Sequence, residues 1–127
     1  MFDRFDIQAD EWHGDVVFWP LKCVGDYLIA TKDYSILQEG LNYRHLDSHK
    51  PTREKSTMLQ HIKEAVETIK ARFVFDTALV NYAGGDWDDT LQPADRNMKE
   101  RLVSAWTVAL SYQVLNRLAY ALRNVEP

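Results

Sequence analysis

A broad apolar pattern with the period of an α-helix runs from about Arg96 to Arg123, after Pro93. Its main stripe consists of Val103, Trp106, Leu110, Val114, Leu118 and Leu122, and Leu102, Ala109, Leu115 and Ala119 widen it. A helix that is apolar over so much of its circumference requires neighbours on more than one side. The segment therefore predicts a long helix whose apolar surface the rest of this chain can hardly cover.

Two further helices are predicted upstream. One runs from about Val16 to Ala30, with Pro20 in its first turn, where the missing N–H is no loss. Its apolar face consists of Val17, Leu21, Val24 and Leu28. The other begins with Thr57 and Gln60, which match a capping box. Its stripe consists of Leu59, Ile62, Val66, Ile69 and Phe73.

The remaining segments lack a helical period. Residues 31–40 predict a break and one short helical turn, which Gly40 closes in left-handed geometry. Residues 41–56 are polar and interrupted by Pro51, so they predict a long loop. Residues 73–85, "FVFDTALVNYAGG", predict either a short strand or an extended segment. The predicted fold class is all-α, with helical hairpins joined by long loops.

Composition excludes several classes of protein. With 127 residues, 46% of them hydrophobic, the chain predicts one globular domain. The net charge is −4 and the basic residues are dispersed, so no nucleic-acid partner is expected. No apolar run approaches the roughly 20 residues of a membrane span, and the acidic N-terminus does not resemble a secretory signal. A single cysteine, Cys23, cannot form an internal disulfide, which favours a reducing compartment and a cytoplasmic location.

One loop concentrates residues that could carry chemistry. In "NYAGGDWDDTLQPA", residues 81–94, the carboxyl groups of Asp86, Asp88 and Asp89 surround Trp87, directly after a glycine pair. The segment is either a solvated turn or a site. Clustered carboxylates spread one another's pKa values, and a nearby indole lowers the local polarity, so one Asp can stay protonated as a general acid. The indole also offers a flat apolar face for a sugar ring.

Other candidate residues favour structural interpretations. His13 and Asp15 could face the same cleft as the loop, but a turn at the entry to a helix is the preferred interpretation. His45 and His49 are four residues apart in a segment without helical pattern, so we expect no metal site. The acidic loop also lacks the oxygen spacing of a calcium-binding EF-hand. Cys23 lies on an otherwise apolar helix and predicts a packed side chain.

The acidic motif and its flanks resemble a known family. "GGDWDD" resembles the Gly-Asp-Trp-Asn-Asp segment of the cellobiose and chitobiose phosphorylases, inverting enzymes of glycoside hydrolase family 94. "DVVFWPLKCVGDYLIATKDYSIL", "MLQHIKEAVETIKARF" and "LVSAWTVALSYQVLNRLA" resemble helices that flank this segment in the family. The resemblance covers about residues 10–122. It implies that residues 1–127 form part of the family's catalytic domain, an (α/α)6 barrel.

The resemblance assigns roles to the residues of the loop. In the family, the last Asp of the motif is the general acid, a role that falls on Asp89 here. Trp87 and Asp86 would line the sugar site or hold the loop. Asp88 is a further candidate for substrate binding, and it stands where the family usually has Asn. The resemblance therefore does not determine which sugar is the substrate.

The implied activity is phosphorolysis of a β-linked disaccharide or oligosaccharide, a reaction of carbohydrate metabolism. Inorganic phosphate is the co-substrate. Because phosphate is already anionic, it needs no second carboxylate of the kind that activates water in an inverting hydrolase. No organic cofactor is implied. The family's phosphate-binding segment lies downstream and key sugar-binding residues lie upstream, and neither is recognised here, so we expect the isolated chain to be inactive.

An alternative function belongs to another class. The chain could be a truncated, non-catalytic helical module that self-associates, binds a partner, or binds a sugar through Trp87. Under either hypothesis the wide apolar arc of the last helix predicts a homo-oligomer or a contact with the remainder of the barrel.

Overall fold

A computed structural model of the chain describes residues 13–45, 47–88, 92–123 and 125. Within these residues the chain forms three α-helices and two β-strands. In chain order they are α1 (Phe18–Thr31), β1 (Gly40–Arg44), β2 (Pro51–Thr57), α2 (Met58–Lys70) and α3 (Ala105–Leu122). Two short 3-10 helices, Tyr34–Gln38 and Arg96–Glu100, lie before β1 and before α3.

Helices α1 and α3 pack against each other and form the centre of the core. Phe18 and Leu28 of α1 are fully buried, as is Val114 of α3 at 1% exposure. The two helices approach closely at Gly25, where an added Cβ would lie 3.6 Å from the Cα of Leu118. An alanine methyl group at position 25 would make ordinary van der Waals contact there, so the two helix backbones lie close together with little space for a longer side chain. Ile62 and Ile69 of α2 and Leu37 of the first 3-10 helix belong to the same core.

The predicted all-α fold class is wrong, because residues 41–56 form a β-hairpin instead of a loop. Strands β1 and β2 pair antiparallel, with Gly40 opposite Thr57 and an irregularity between Asn42 and Arg44. The fold is therefore mixed, with a two-stranded sheet beside the helices. Both strands are mostly exposed, so neither carries the alternation of apolar and polar residues by which a half-buried strand is recognised.

The hairpin is attached to α2 through one aromatic residue. The rings of Tyr43 and His61 are 4.4 Å apart between centroids, and the hydroxyl of Tyr43 donates to the carboxylate of Glu64 at 2.9 Å. The backbone N–H of Met58, at the start of α2, donates to the carbonyl of Glu39 at 2.9 Å. These contacts fix the hairpin on the helix although its strands bury little apolar surface.

The predictions for α1 and α2 are confirmed, within a few residues at their ends. Pro20 lies in the first turn of α1. The hydroxyl of Thr57 accepts a hydrogen bond from the N–H of Gln60 at 3.2 Å, as the capping pattern predicts. The prediction for Gly40 is wrong: it begins β1, and the left-handed residue that ends α1 is Lys32, with φ 58°.

The last helix starts later than the apolar pattern predicts. Arg96–Glu100 forms a 3-10 helix, and α3 begins at Ala105, after Ser104 accepts a hydrogen bond from the N–H of Thr107. Residues 73–85 form no regular strand: a turn at residues 75–78 separates Phe73 from Val80, and these two residues form an antiparallel bridge.

A groove with an almost entirely apolar lining runs between α2 and α3 and has a volume of about 390 Å³. Its apolar lining consists of Leu59, Ile62, Val66, Leu115, Leu118, Ala119 and Leu122. Leu115 and Ala119 belong to the residues that widen the apolar arc in the sequence. Across the described ranges, no helix combines the length and the apolar character that crossing a membrane requires.

Candidate functional site

The acidic loop is held in place by the backbone of the segment that precedes α3. The N–H of Tyr82 donates to the carbonyl of Leu102 at 2.8 Å, and the N–H of Ala83 donates to the carbonyl of Lys99 at 3.2 Å. Ala83 itself has a positive φ of 51°, a conformation that costs energy for a residue with a Cβ. The surrounding hydrogen bonds therefore impose the shape of the chain as it enters the glycine pair.

The segment before α1 lies against the other side of this turn. The N–H of Gly14 donates to the carbonyl of Gly85 at 2.8 Å, and His13 forms an antiparallel bridge with Ala83. Gly85 has φ 153°, and a Cβ at this position would lie 3.5 Å from Nε2 of His13. The contact at Gly14 is closer still, since a Cβ there would lie 2.9 Å from the carbonyl oxygens of Asn81 and Tyr82. Position 14 therefore requires glycine, because a side chain there would collide with the backbone of residues 81 and 82.

Asp86 is a buried anchor of the loop. It is 6% exposed, and its Oδ2 accepts a hydrogen bond from the hydroxyl of Ser104, the residue that caps α3. Its Oδ1 accepts a hydrogen bond from the N–H of Asp88 at 3.1 Å. Of the two roles that the resemblance implies for Asp86, lining the sugar site or holding the loop, this geometry provides the second.

Trp87 points away from the core and meets a second indole. Its side chain is 65% exposed, and its ring centroid lies 5.9 Å from that of Trp106, with 59° between the ring planes. Trp106, in the first turn of α3, is 41% exposed. The two rings thus form one exposed aromatic surface beside the acidic loop.

The proposed acid, Asp89, lies outside the described residues, as do residues 90 and 91. The chain is held on both sides of this gap. Asp88 donates its N–H to Asp86, and Nε2 of Gln92 lies 3.4 Å from the carbonyl of Gly84, to which it donates. Both ends of the segment that carries Asp89 are therefore attached to the same turn.

A groove of about 830 Å³ lies between the turn and the second 3-10 helix. Asn81, Ala83 and Gly84 line one side of it, and residues 95–101 line the other. The second side carries both signs of charge, with Arg96, Lys99 and Arg101 next to Asp95 and Glu100.

The other candidate residues, Asp15, His45 and His49, lie at separate places in the fold. The carboxylate of Asp15 is buried and accepts a hydrogen bond from Nε1 of Trp19 at 3.2 Å, at the start of α1. His45 and His49 lie at the turn of the β-hairpin, where the N–H of His49 donates to the carbonyl of His45. In the part of the chain that the structure describes, no three His, Cys, Asp or Glu side chains are grouped as metal ligands would be. Cys23 is exposed and not packed, contrary to the prediction.

Sequence reasoning did not identify Ser104 and Trp106 as parts of the site. Ser104 has a recognisable local signal, since a Ser directly before a helical apolar pattern is typical of a helix N-cap. Its contact with Asp86 spans 18 residues and leaves no local pattern. Trp106 was assigned to the apolar stripe of α3, because its helical spacing is that of a core residue.

No protein-family model matches the chain. Over 120 residues, 94% of its length, it is 53% identical to a 1,2-beta-oligoglucan phosphorylase of Listeria innocua serovar 6a. The matched segment is 11% of that phosphorylase, so the chain spans about a ninth of its relative. Nearly the whole chain is therefore similar to one segment of a phosphorylase.

Proposed function

We propose that the chain is a segment of the catalytic domain of a glycoside phosphorylase that acts on β-linked gluco-oligosaccharides, and that it contributes the general acid, Asp89. The similarity to a 1,2-beta-oligoglucan phosphorylase over 94% of the chain is the observation that carries the proposal. It agrees with the resemblance of "GGDWDD" and its flanking segments to glycoside hydrolase family 94.

The proposed reaction needs one acid and a phosphate. Asp89 protonates the glycosidic oxygen as the bond to the anomeric carbon breaks, and inorganic phosphate attacks that carbon from the opposite face. The products are a sugar 1-phosphate of inverted configuration and an oligosaccharide shorter by one unit. No base is required, because phosphate is anionic at neutral pH, and no organic cofactor takes part.

The geometry around the gap supports this role for the loop. A general acid must be held within hydrogen-bond reach of the leaving oxygen. The Asp86–Ser104 contact and the Gly14–Gly85 hydrogen bond hold the turn that precedes Asp89 from two directions. Trp87, exposed next to it, supplies an apolar face for a sugar ring.

The compartment forms part of the proposal. Cys23 is the single cysteine of the chain and its thiol is exposed, a combination typical of proteins in a reducing environment. We place the phosphorylase in the cytoplasm, where its co-substrate, inorganic phosphate, is available.

The test replaces the matching segment of the Listeria innocua enzyme with this chain. We expect the chimera to release sugar 1-phosphate from 1,2-β-oligoglucan only when inorganic phosphate is present. Asp89→Asn should lower kcat by about 10²- to 10⁴-fold, the usual contribution of general acid catalysis. Asp88→Asn is the matched control, since it introduces the residue that the family usually has, and its kcat should stay within a few-fold. Equal losses in both variants, or phosphate-independent turnover, would contradict the proposal.

The isolated chain should not turn over these substrates, because the phosphate-binding segment is not recognised in it. Phosphate-dependent turnover by the purified 127-residue chain would show that the chain forms a complete site.

A further inference from the structure

Trp106 has no assigned role in the proposed reaction, although its ring is part of the most exposed aromatic surface beside the loop. Trp87 and Trp106 are 65% and 41% exposed. Burying apolar surface is favourable, so a ligand that covers two adjacent indoles is stabilised on the chain. Adjacent exposed apolar side chains of this kind mark binding surfaces.

The relative position of the two indoles is fixed by the anchors of the loop. Trp87 directly follows Asp86, whose carboxylate is bound by Ser104, and Trp106 lies two residues after Ser104. Ser104 also caps α3 by accepting from the N–H of Thr107. One serine therefore joins the backbone that carries the first indole to the helix that carries the second.

The geometry suits two neighbouring sugar rings. The indole centroids are 5.9 Å apart, a distance comparable to that between adjacent rings in a glucan chain. The planes are inclined by 59°, so the two indoles are not stacked face to face. The C–H face of a β-glucopyranose is apolar and packs on an aromatic face, while its hydroxyls project sideways toward polar groups.

We propose that Trp106 and Trp87 together form a two-ring surface that binds two consecutive units of an oligosaccharide, Trp106 taking the unit next to the one on Trp87. The proposal rests on the proposed function for the class of sugar. It adds a residue that contacts substrate and a reason for binding two linked sugar units more tightly than one.

The test is a titration of the 127-residue chain with glucose and with 1,2-β-linked glucose disaccharide, followed through the indole N–H signals by NMR. We expect the disaccharide to bind about two- to tenfold more tightly than glucose, the gain expected from one more aromatic contact. Trp106→Ala should remove this advantage and leave the affinity for glucose unchanged. Trp106→Phe, which keeps an aromatic face and guards against a folding defect, should retain most of it.

Tyr112→Ala is the matched control, because Tyr112 is also an exposed aromatic residue of α3, at 73% exposure. Its affinities should equal those of the unchanged chain. The proposal is overturned if the unchanged chain binds neither sugar, or if Trp106→Ala keeps the preference for the longer one. Binding requires neither phosphate nor Asp89, so a failure of phosphorolysis in the chimera would leave this result unaffected, and the two proposals can fail separately.

Discussion

The hydroxyl of Ser104 donates a hydrogen bond to the buried carboxylate of Asp86 and also accepts one from the N–H of Thr107, so the start of α3 and the acidic loop share one anchor. Sequence alone indicates the helix cap. It does not indicate the tie to the loop, which joins residues 18 positions apart.

Ser104→Ala should lower the free energy of unfolding by about 1 to 3 kcal/mol. The change removes an N-cap, worth about 1 kcal/mol, and it removes one of the hydrogen bonds to the buried Asp86 carboxylate, which costs about 1.5–3 kcal/mol. The two effects share one group, so they do not add in full. Urea unfolding followed by circular dichroism measures the difference. Ser104→Thr keeps the hydroxyl and should lie within about 0.5 kcal/mol of the original chain; equal stability of all three proteins would contradict the shared anchor.

Gly14→Ala should destabilise the chain, because the new Cβ would lie 2.9 Å from two backbone carbonyl oxygens of the loop segment. Backbone cannot move aside as a flexible side chain can, so we expect a loss of about 1–3 kcal/mol, as for an overpacked core. Thermal unfolding measures it.

Gly25→Ala is the matched control for that substitution. Its Cβ would make ordinary contacts at 3.6 Å with the backbone of Leu118, and Ala is favoured over Gly inside a helix by about 1 kcal/mol. We expect unchanged or slightly raised stability. A larger loss at Gly25 than at Gly14 would show that the helix contact, and not the loop contact, is the tighter one.

Asp26→Asn should reduce stability at neutral pH and have no effect in strong acid. Hydrogen bonds from Lys22 and then Arg117 hold the pKa of the Asp26 carboxyl below its ordinary value of 3.8. The carboxylate therefore stabilises the folded state above pH 3.8, and this contribution is lost as the pH falls through the lowered pKa. Since the group is exposed, the effect is small and screened by salt. Urea midpoints at pH 7 and at successively lower pH test it, and a gap that grows in acid would reverse the sign of the argument.

Glu67→Gln serves as the control for Asp26. Glu67 also pairs with a lysine, Lys70, but the pair lies within the single helix α2. Asp26 instead joins α1 to α3 through Arg117, at 2.7 Å from Nε to Oδ1. We expect the variant at Glu67 to unfold like the original chain at each pH.

The isolated chain should self-associate through the apolar groove between α2 and α3. Leu115→Glu places a charge in that groove and should weaken the association at least about tenfold, equivalent to about 1.4 kcal/mol. Sedimentation at micromolar concentration measures the equilibrium. Tyr112→Glu adds the same charge on an exposed part of α3 and should not change it. A chain that stays monomeric at all concentrations would show that the groove needs no second copy.

The elements that sequence predicts correctly are those whose burial is periodic. Helices α1 and α2 each pack one apolar stripe against the core, and Thr57 is a recognisable N-cap at the start of α2. The β-hairpin was not predicted because its strands are exposed and polar. They are held in place by the contacts of Tyr43 with α2, which no local sequence pattern indicates. The late start of α3 escaped it because Leu102 and Val103 continue the apolar spacing outside the helix.

The acidic loop was recognisable because unusual residues are contiguous in it. The residues that hold the loop could not be recognised in this way, because they belong to other segments of the chain. They are His13, Leu102 and Ser104. Which carboxylate is buried depends on those supports, so the separate positions of Asp86 and Trp87 follow only from the three-dimensional structure.

The hydrogen bond from Gly14 to Gly85 also has a consequence for folding kinetics. Its two residues are 71 positions apart in sequence, and closing so long a segment costs entropy. Docking of α1 on α3, which joins Asp26 to Arg117 across 91 positions, shortens the segment that remains to be closed. The acidic loop should therefore become ordered after α1 and α3 have docked, and it should be the first region to open. In a native-state hydrogen-exchange experiment, the amides of Gly14 and Asp88 should exchange together, through a local opening, well before that of Val114 in the core.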